Sequence, residues 1–334
     1  MKKLAFLLIA FTLVLSACDN GADTGSKRDA KGHLQKVTVM LDWYPNAVHS
    51  FLYVAQEKGY FKDQGLDVTI KMPSDTNDPL KLIAANQMDI ALSYQPQVLI
   101  ARDENIPVQS FGVLVHHTLN RVMVPAASNI RSPKDLAGKK VGYSSIPLEE
   151  AVVRTMVKEN GGNPNKMKTV DVGYDLIPAI TTHKTNAIVG GFVNHEKLLL
   201  EKEGHDVRAF NPANYGVPDY YELVFIANEN KIKQHPGLFK KFLAAADKSQ
   251  QYVKKHPQKS LAILLKHEDK SSPLNKNIET KSLQILLPLM DEKNKPFAYQ
   301  DPDSWKKVSD WLYQMKITKT HVNAQKAFIN LSQN

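Results

Sequence analysis

The run Val37-Thr38-Val39-Met40-Leu41 reads as a β-strand, and Pro45 follows close behind it. Proline has no amide hydrogen to give to a sheet ladder, so the strand must end near Asp42. Beyond it, Val48, Leu52 and Ala55 fall at helical spacing through Gln56-Glu57-Lys58, and Gly59 stops the helix. Trp43, Tyr44, Asn46 and His49 are therefore compressed into one strand-to-helix junction. A Trp in such a place serves equally well as a plug for the end of a core, because Trp is usually largely buried. The crowding of polar and aromatic groups favours a site, since open α/β sheets bind ligands at the ends of their strands.

The chain opens with Lys2-Lys3 and the apolar stretch Leu4 to Leu15, too short to span a bilayer as a lasting helix. Leu15-Ser16-Ala17-Cys18 has the pattern of a bacterial lipoprotein signal, with cleavage before Cys18 and a lipid on its sulfur. An ordinary secretory signal with an incidental cysteine is the alternative. Cys18 is the only cysteine, so disulfide stapling, thiol catalysis and a Cys-ligated metal are excluded for the domain that follows. A diacylated cysteine supplies two acyl chains, enough for stable anchoring where one is not. The polar stretch from Asp19 to Gly32 lacks apolar periodicity and reads as a tether. The formal charge of +9 falls to +7 once Lys2 and Lys3 leave with the signal. Its lysine pairs (Lys139-Lys140, Lys240-Lys241, Lys254-Lys255) are scattered, which describes a solvated face rather than a nucleic-acid surface.

The remainder is long enough for two lobes. Strands are expected at Leu66 to Ile70, Asp89 to Ser93 and Val108 to Leu114, with helices at Pro79 to Asn86 and Pro96 to Arg102 between them. Such βαβ units give a mostly parallel sheet. A second set follows, with strands near Lys140, Val170, Ala187 and Val207 and helices from Leu148, Leu176 and Glu196. The apolar strand Glu222 to Ala227 should return to the first lobe. Helices then close the chain, including one from Val322 to Leu331, and are assigned a structural role. The boundaries are thus 1–17 for the signal, 18–35 for the tether, 36–125 with 216–334 for lobe one, and 126–215 for lobe two.

If the lobes face each other, strand ends meet in a cleft. Lobe one offers Asp42, Trp43, Asn46 and His49, with Tyr94 after the third strand. Lobe two offers Ser144 and Ser145 ahead of a helix whose free amides can donate to a ligand. It also offers Gly190 to Glu196, with Gly191, Phe192, Asn194 and Glu196 as candidates: Gly190-Gly191 let the backbone approach something closely or make a plain turn, and Asn194 and Glu196 suit a helix cap. Tyr221 and Glu222 close the aromatic segment at the return crossing, where Tyr faces suit a flat heterocycle or plain hinge packing. His116-His117 has no third ligand at metal spacing, so no metal is expected. No G-x-S-x-G, H-E-x-x-H or G-x-x-x-x-G-K run exists in the chain.

Several of these segments resemble one known family. Leu41-Asp42-Trp43, Pro45-Asn46 and His49, then Tyr53-Val54-Ala55, Gly59-Tyr60-Phe61 and Gly65-Leu66, resemble the N-terminal signature of the thiamine-pyrimidine precursor binding proteins. Gly191 to Glu196 is similar to that family's G-x-x-N-H-E run. Ile130 to Gly142 resembles the connector of type II solute-binding proteins, where Ser132 can cap a one-turn helix begun by Pro133 and Gly138 ends it. The resemblance covers nearly the whole chain after the signal. It implies an α/β, type II periplasmic solute-binding fold, with two lobes, a hinge and a ligand cleft between them. It further implies a monomer that binds a small aminopyrimidine, N-formyl-4-amino-5-aminomethyl-2-methylpyrimidine, for thiamine salvage. That monomer would use no cofactor, serve ABC permease and ATPase subunits, and sit on the extracytoplasmic face of the cell membrane through Cys18.

Two alternatives follow from the same resemblance. Sister importer proteins bind sulfonates, nitrate or riboflavin-like solutes, and a cationic pair in the cleft would favour the anions; the candidate segments contain none. Fungal members make the thiamine pyrimidine from pyridoxal phosphate on a lysine and a nearby histidine, with a cysteine-rich segment. By position those groups fall at about Ser93, Gln97 and Asp219-Tyr220-Tyr221 here, where that chemistry is missing. The expectation is therefore a binding protein and not an enzyme.

Overall fold

The computed structural model describes residues 34–331 apart from positions 271 and 293. The signal, Cys18 and nearly all of the tether lie outside the described residues. Among those described, no helix is long and apolar enough to cross a membrane.

The first lobe opens with β1 (Gln35–Met40), α1 (Ser50–Glu57), α2 (Tyr60–Asp63) and β2 (Leu66–Lys71), followed by α3 (Asp78–Ala84), β3 (Ile90–Ser93), α4 (Gln95–Asp103) and β4 (Val108–Val115). The second comprises β5 (Asn120–Pro125), β6 (Lys140–Tyr143), α5 (Pro147–Glu159), β7 (Lys168–Asp171), α6 (Leu176–Thr181), β8 (Ala187–Phe192), α7 (Glu196–Lys202) and β9 (Val207–Phe210). The chain returns through β10 (Leu223–Asn228) and α8 (Glu229–Gln234). It then adds α9 (Pro236–Lys255), α10 (Pro257–Leu264), α11 (Lys276–Leu286) and α12 (Pro302–Gln314).

Two five-stranded sheets result, ordered β2-β1-β3-β10-β4 and β7-β6-β8-β5-β9. In each, one strand runs against the other four: β10 pairs antiparallel with β3 and β4, and β5 antiparallel with β8 and β9. That strand is in both cases the one arriving from the other lobe. A mostly parallel sheet is therefore correct, with one interruption that periodicity does not reveal.

Two expectations need correction. Asn120–Pro125 is a strand of the second sheet, so the first crossing lies at Thr118-Leu119 and not near Pro125. Val322 to Leu331 is not a helix. After a short 3-10 turn at Ala324–Lys326 the chain is extended against the first sheet's edge, where Ser110 donates to the Ala327 carbonyl and Ile329 donates to that of Ser110. An edge strand has unpaired amides and carbonyls, and this tail satisfies some of them.

The first lobe's core is largely aromatic. Phe111 of β4 lies 4.9 Å from Phe239 and 5.8 Å from Phe225, and Phe61 stacks on Phe242 at 5.5 Å. α1 is buried on nearly every side because α9 and α10 cover what the sheet does not. Trp305 of α12 is fully enclosed and stacks on Phe328 at 5.2 Å, which pins the tail to the domain. Trp305→Ala should cost about 3–5 kcal/mol, read as a lower denaturant midpoint at unchanged slope. An unaltered midpoint would remove the tail from the cooperative core.

Candidate functional site

The junction after β1 is built as its local sequence demands. With the ladder closed to Pro45, Asn46 caps the 3-10 turn Ala47–His49: its Oδ1 accepts from the Val48 amide at 3.1 Å. The Asn46 amide donates to His49 Nδ1 at 3.1 Å, so His49 Nε2 carries the proton and donates to Asp42 Oδ1 at 2.9 Å. The Tyr94 hydroxyl, at the start of α4, donates to Asp42 Oδ2 at 3.3 Å. Asp42 is thus held on both oxygens at the mouth of the sheet. His49 is fully enclosed with both ring nitrogens committed, which makes it a support for Asp42 rather than a direct ligand contact.

The opposing wall starts at Ser144, just past β6. Its amide donates to Glu149 Oε2 and its hydroxyl bonds Glu149 Oε1, both at 2.6 Å. Gly190, at φ +97, is the opening that admits this carboxyl: a Cβ there would lie 2.1 Å from Glu149 Oε1. Two residues on, the Phe192 amide donates to Glu196 Oε2 at 2.7 Å, and His195 Nδ1 lies 2.8 Å from Glu196 Oε1.

Between these walls is a narrow cavity with about 20 Å³ of free room, enough for about one water as the walls stand. Asp42, Trp43, Asn46, Val48 and Tyr94 line it from the first lobe. Ser144, Glu149, Gly190, Phe192, His195 and Glu196 line it from the second. No lysine or arginine is among these described lining residues. The walls touch around it. Tyr174 of the second lobe sits 4.5 Å from the Trp43 ring and 4.8 Å from that of Tyr44, and its hydroxyl donates to the Pro73 carbonyl. Thr76 donates to the Ser144 carbonyl at 2.7 Å and Asn77 to that of Ser145 at 3.3 Å.

Of the residues singled out in the sequence, Asp42, Trp43, Asn46, Tyr94, Ser144, Phe192 and Glu196 are brought together on the cavity wall. Five others, besides His49, stand behind it. Ser145 turns its hydroxyl to Asp171, and Gly191 is replaced by Gly190 on the lining. Asn194 donates to Ser282 of α11 at 3.0 Å. Tyr221 is fixed by Gln95 and by the Asp301 amide, which donates to its hydroxyl. Glu222 accepts from the Leu119 and Asn120 amides at 2.6 and 2.8 Å, across the two crossing strands.

Gly190 and His195 fall inside the Gly190 to Glu196 segment offered by the sequence, though without roles of their own. Glu149 was not singled out, and neither was α11. That helix is more than structural: Glu279 accepts from the Ala47 amide at 2.7 Å while Ser282 meets the second lobe. The paired glycines Gly190-Gly191 and the run that ends at Glu196 were the visible signals for the second lobe's wall.

The family described as NMT1/THI5 like matches residues 46–260. The chain is 42% identical over 331 residues to a formylaminopyrimidine-binding protein of Halalkalibacterium halodurans, covering 99% of this chain and 98% of that one. This chain belongs to the NMT1/THI5-like family. A more distant relative, the 4-amino-5-hydroxymethyl-2-methylpyrimidine phosphate synthase of Legionella pneumophila, is 25% identical over 88% of this chain and 91% of its own. The family therefore holds both binding proteins and synthases. Among solved structures, the alkanesulfonate-binding protein of Xanthomonas axonopodis pv. citri bound to MOPS shares the fold. Its TM-score is 0.68 at 11% identity, over 88% of this chain and 98% of that one. The two-lobed periplasmic binding protein architecture is thus the fold of this family member.

The electrostatics of this NMT1/THI5-like cleft are dominated by buried acids. Burial pushes the Glu149 carboxyl up to about 8, against the pull of its two Ser144 bonds, and the charges of Glu222 and Glu196 push the same way. Burial raises Glu222 to about 8 as well, despite the Asn120 and Leu119 amides and nearby Arg121. Burial also raises Glu279, with His195 and the Ala47 amide opposing. For His195, burial pulls the imidazole down, but the Glu196 carboxylate, aided by Glu279 and Asp42, wins and raises it.

A carboxyl that is harder to ionise folded than unfolded binds more protons in the native state, so stability falls as pH rises between the two midpoints. For Glu149 and Glu222 that window runs from 4.5, the ordinary value, to about 8. The unliganded protein should therefore lose melting temperature across that interval, and Glu222→Gln should flatten the decline. A melting temperature that climbs steadily from pH 4.5 to 8 would contradict the burial of these acids.

Proposed function

We propose that this protein is the extracytoplasmic solute-binding component of an ABC importer, capturing N-formyl-4-amino-5-aminomethyl-2-methylpyrimidine for thiamine salvage. The observation that carries the reading is the cavity itself, aromatic and acidic and lined by no lysine or arginine among the described residues. Trp43, Tyr94 and Phe192 offer flat apolar faces, and Asp42 and Glu196 offer carboxylate acceptors to amine hydrogens. The name of the relative at 42% identity points to the same ligand. An anion such as a sulfonate would find no lysine or arginine to pair with among these lining residues.

A binding role rather than synthesis is supported by two positions. Ser93, which stands at about the place of the synthases' reactive lysine, has no amine with which to form a Schiff base. The sole cysteine lies at position 18, far from any cysteine-rich segment. Lobes that meet around a cavity also suit capture by closure, in which a ligand touching both walls selects the closed state.

Stacking on an aromatic face adds roughly 0.5–1.5 kcal/mol beyond area burial. A buried donor left without its partner costs on the order of 1–3 kcal/mol. Trp43→Ala and Glu196→Gln should each weaken the formylaminopyrimidine by about ten-fold or more, since about 1.4 kcal/mol is ten-fold in affinity. Titration calorimetry on wild type and both variants, with taurine and nitrate as controls, decides the ligand. Tight binding of taurine or nitrate in place of the pyrimidine would overturn the reading and leave the fold untouched.

The anchor is proposed on Cys18, with ABC permease and ATPase subunits as partners and a monomer as the working form. Replacing Cys18 with Ser should release a folded, ligand-binding domain from the membrane fraction. Retention of that variant on membranes after a high-salt wash would exclude a lipid on Cys18 as the sole attachment.

A further inference from the structure

We propose that Glu149 is the carboxyl that reads the ligand's ring edge, with one proton shared between its free edge and a ring nitrogen of the aminopyrimidine. This rests on the aminopyrimidine reading above and assigns the group that carries it out. The geometry singles out Glu149 on three counts. It faces the cavity from the first turn of α5. Its two oxygens are positioned by the amide and hydroxyl of a single residue, Ser144. Gly190 leaves it a slot that any side chain would close.

The groups around it are acidic or phenolic. Asp42 and Tyr94 face the same cavity from the first lobe, and Glu196 with His195 from the second. Glu222 and Tyr220 lie ahead of β10, and Tyr143 ends β6. Arg121 of β5 is close enough to feel the Glu222 charge while it donates to the Thr118 and Asn120 carbonyls. Burial among these charges keeps the Glu149 carboxyl protonated up to about pH 8. A neutral carboxylic acid is complementary to a neutral aminopyrimidine edge. Its O–H donates to a ring nitrogen and its C=O accepts from the exocyclic amine. The same complex forms from a carboxylate and a protonated ring, so the balance is one proton per complex from either side. No covalent bond changes.

The linkage gives an asymmetric test. Above the Glu149 midpoint the free protein must take up a proton to bind, so affinity should fall by about ten-fold per pH unit. Glutamine is the fixed counterpart of the neutral acid, with an N–H donor and a C=O acceptor on the same edge. Glu149→Gln should therefore bind with an affinity that no longer declines as pH rises. Glu149→Ala should bind at least ten-fold more weakly at every pH, with a melting scan to show that it is folded.

The measurement is titration calorimetry of the purified protein with the formylaminopyrimidine, from neutral pH to well past the Glu149 midpoint. A wild-type affinity that stays flat through that range overturns the assignment. So does an alkaline decline that persists in Glu149→Gln, because Glu222 would then be the group that titrates. Wild type that fails to bind the pyrimidine at all is a different result, and it removes the ligand reading together with this inference.

Discussion

The structure depends on two carboxylates that tie together the crossings between its lobes. On the segment that returns ahead of β10, Asp219 accepts from the Thr118 amide and hydroxyl at 2.9 and 3.0 Å, and Glu222 accepts from the Leu119 and Asn120 amides. The outgoing chain at 118–119 lies ahead of β5, which begins at Asn120. Buried amides without acceptors are costly, and a carboxylate receiving two of them is among the stronger hydrogen-bonded arrangements available. The arrangement sets two chain segments side by side, and each then enters the other lobe's sheet as its one opposed strand. The shared strand order of the two sheets follows from that exchange.

The same tie shapes the cleft's chemistry. Glu222 is taken out of water to serve the crossing, and its charge then adds to the pressure on Glu149. Asn120 carries the coupling further, because its Oδ1 accepts from the Gly190 amide at 3.0 Å, beside the slot that holds Glu149. A hinge residue and a cavity residue are therefore neighbours through one asparagine. Loss of either partner would move the wall of the site as well as the crossing.

What was legible in the sequence was what local rules decide. Pro45 ended β1, and the Trp43 junction fell on the cavity because it stands at a strand end. The strand Asn120–Pro125 was not legible. It is short, carries Arg121 and ends in proline, and its place comes from partners nearly seventy residues later in β8. Glu149 stood unmarked beside Glu150, since acids in a helix's first turn are ordinary dipole partners. Only the fold shows that the Glu149 carboxyl meets Ser144 while Glu150 pairs with Arg154. Glu279 and Ser282 reach the site from α11, a connection that no local pattern encodes. The tail after Val322 has spacing that suits a helix, yet the unpaired edge at Ser110 wins it as an extended strap.

The contacts that close the cleft divide into two kinds. Thr76 and Asn77 donate to the carbonyls of Ser144 and Ser145, acceptors that any residue at those positions would supply. Tyr174 against Trp43 and Tyr44 is instead a contact between particular side chains. A ligand shifts the open–closed balance only by its difference in affinity for the two states. Because these clasps form around the cavity and not through it, they lower the closing cost without discriminating among ligands. Discrimination is left to the lining, where acids outnumber bases and Gly190 leaves the slot through which the Glu149 carboxyl reaches the interior. A family holding both binders and synthases on this frame is consistent with that division: the clasps and crossings make the closed chamber, and a few lining residues set what happens inside it.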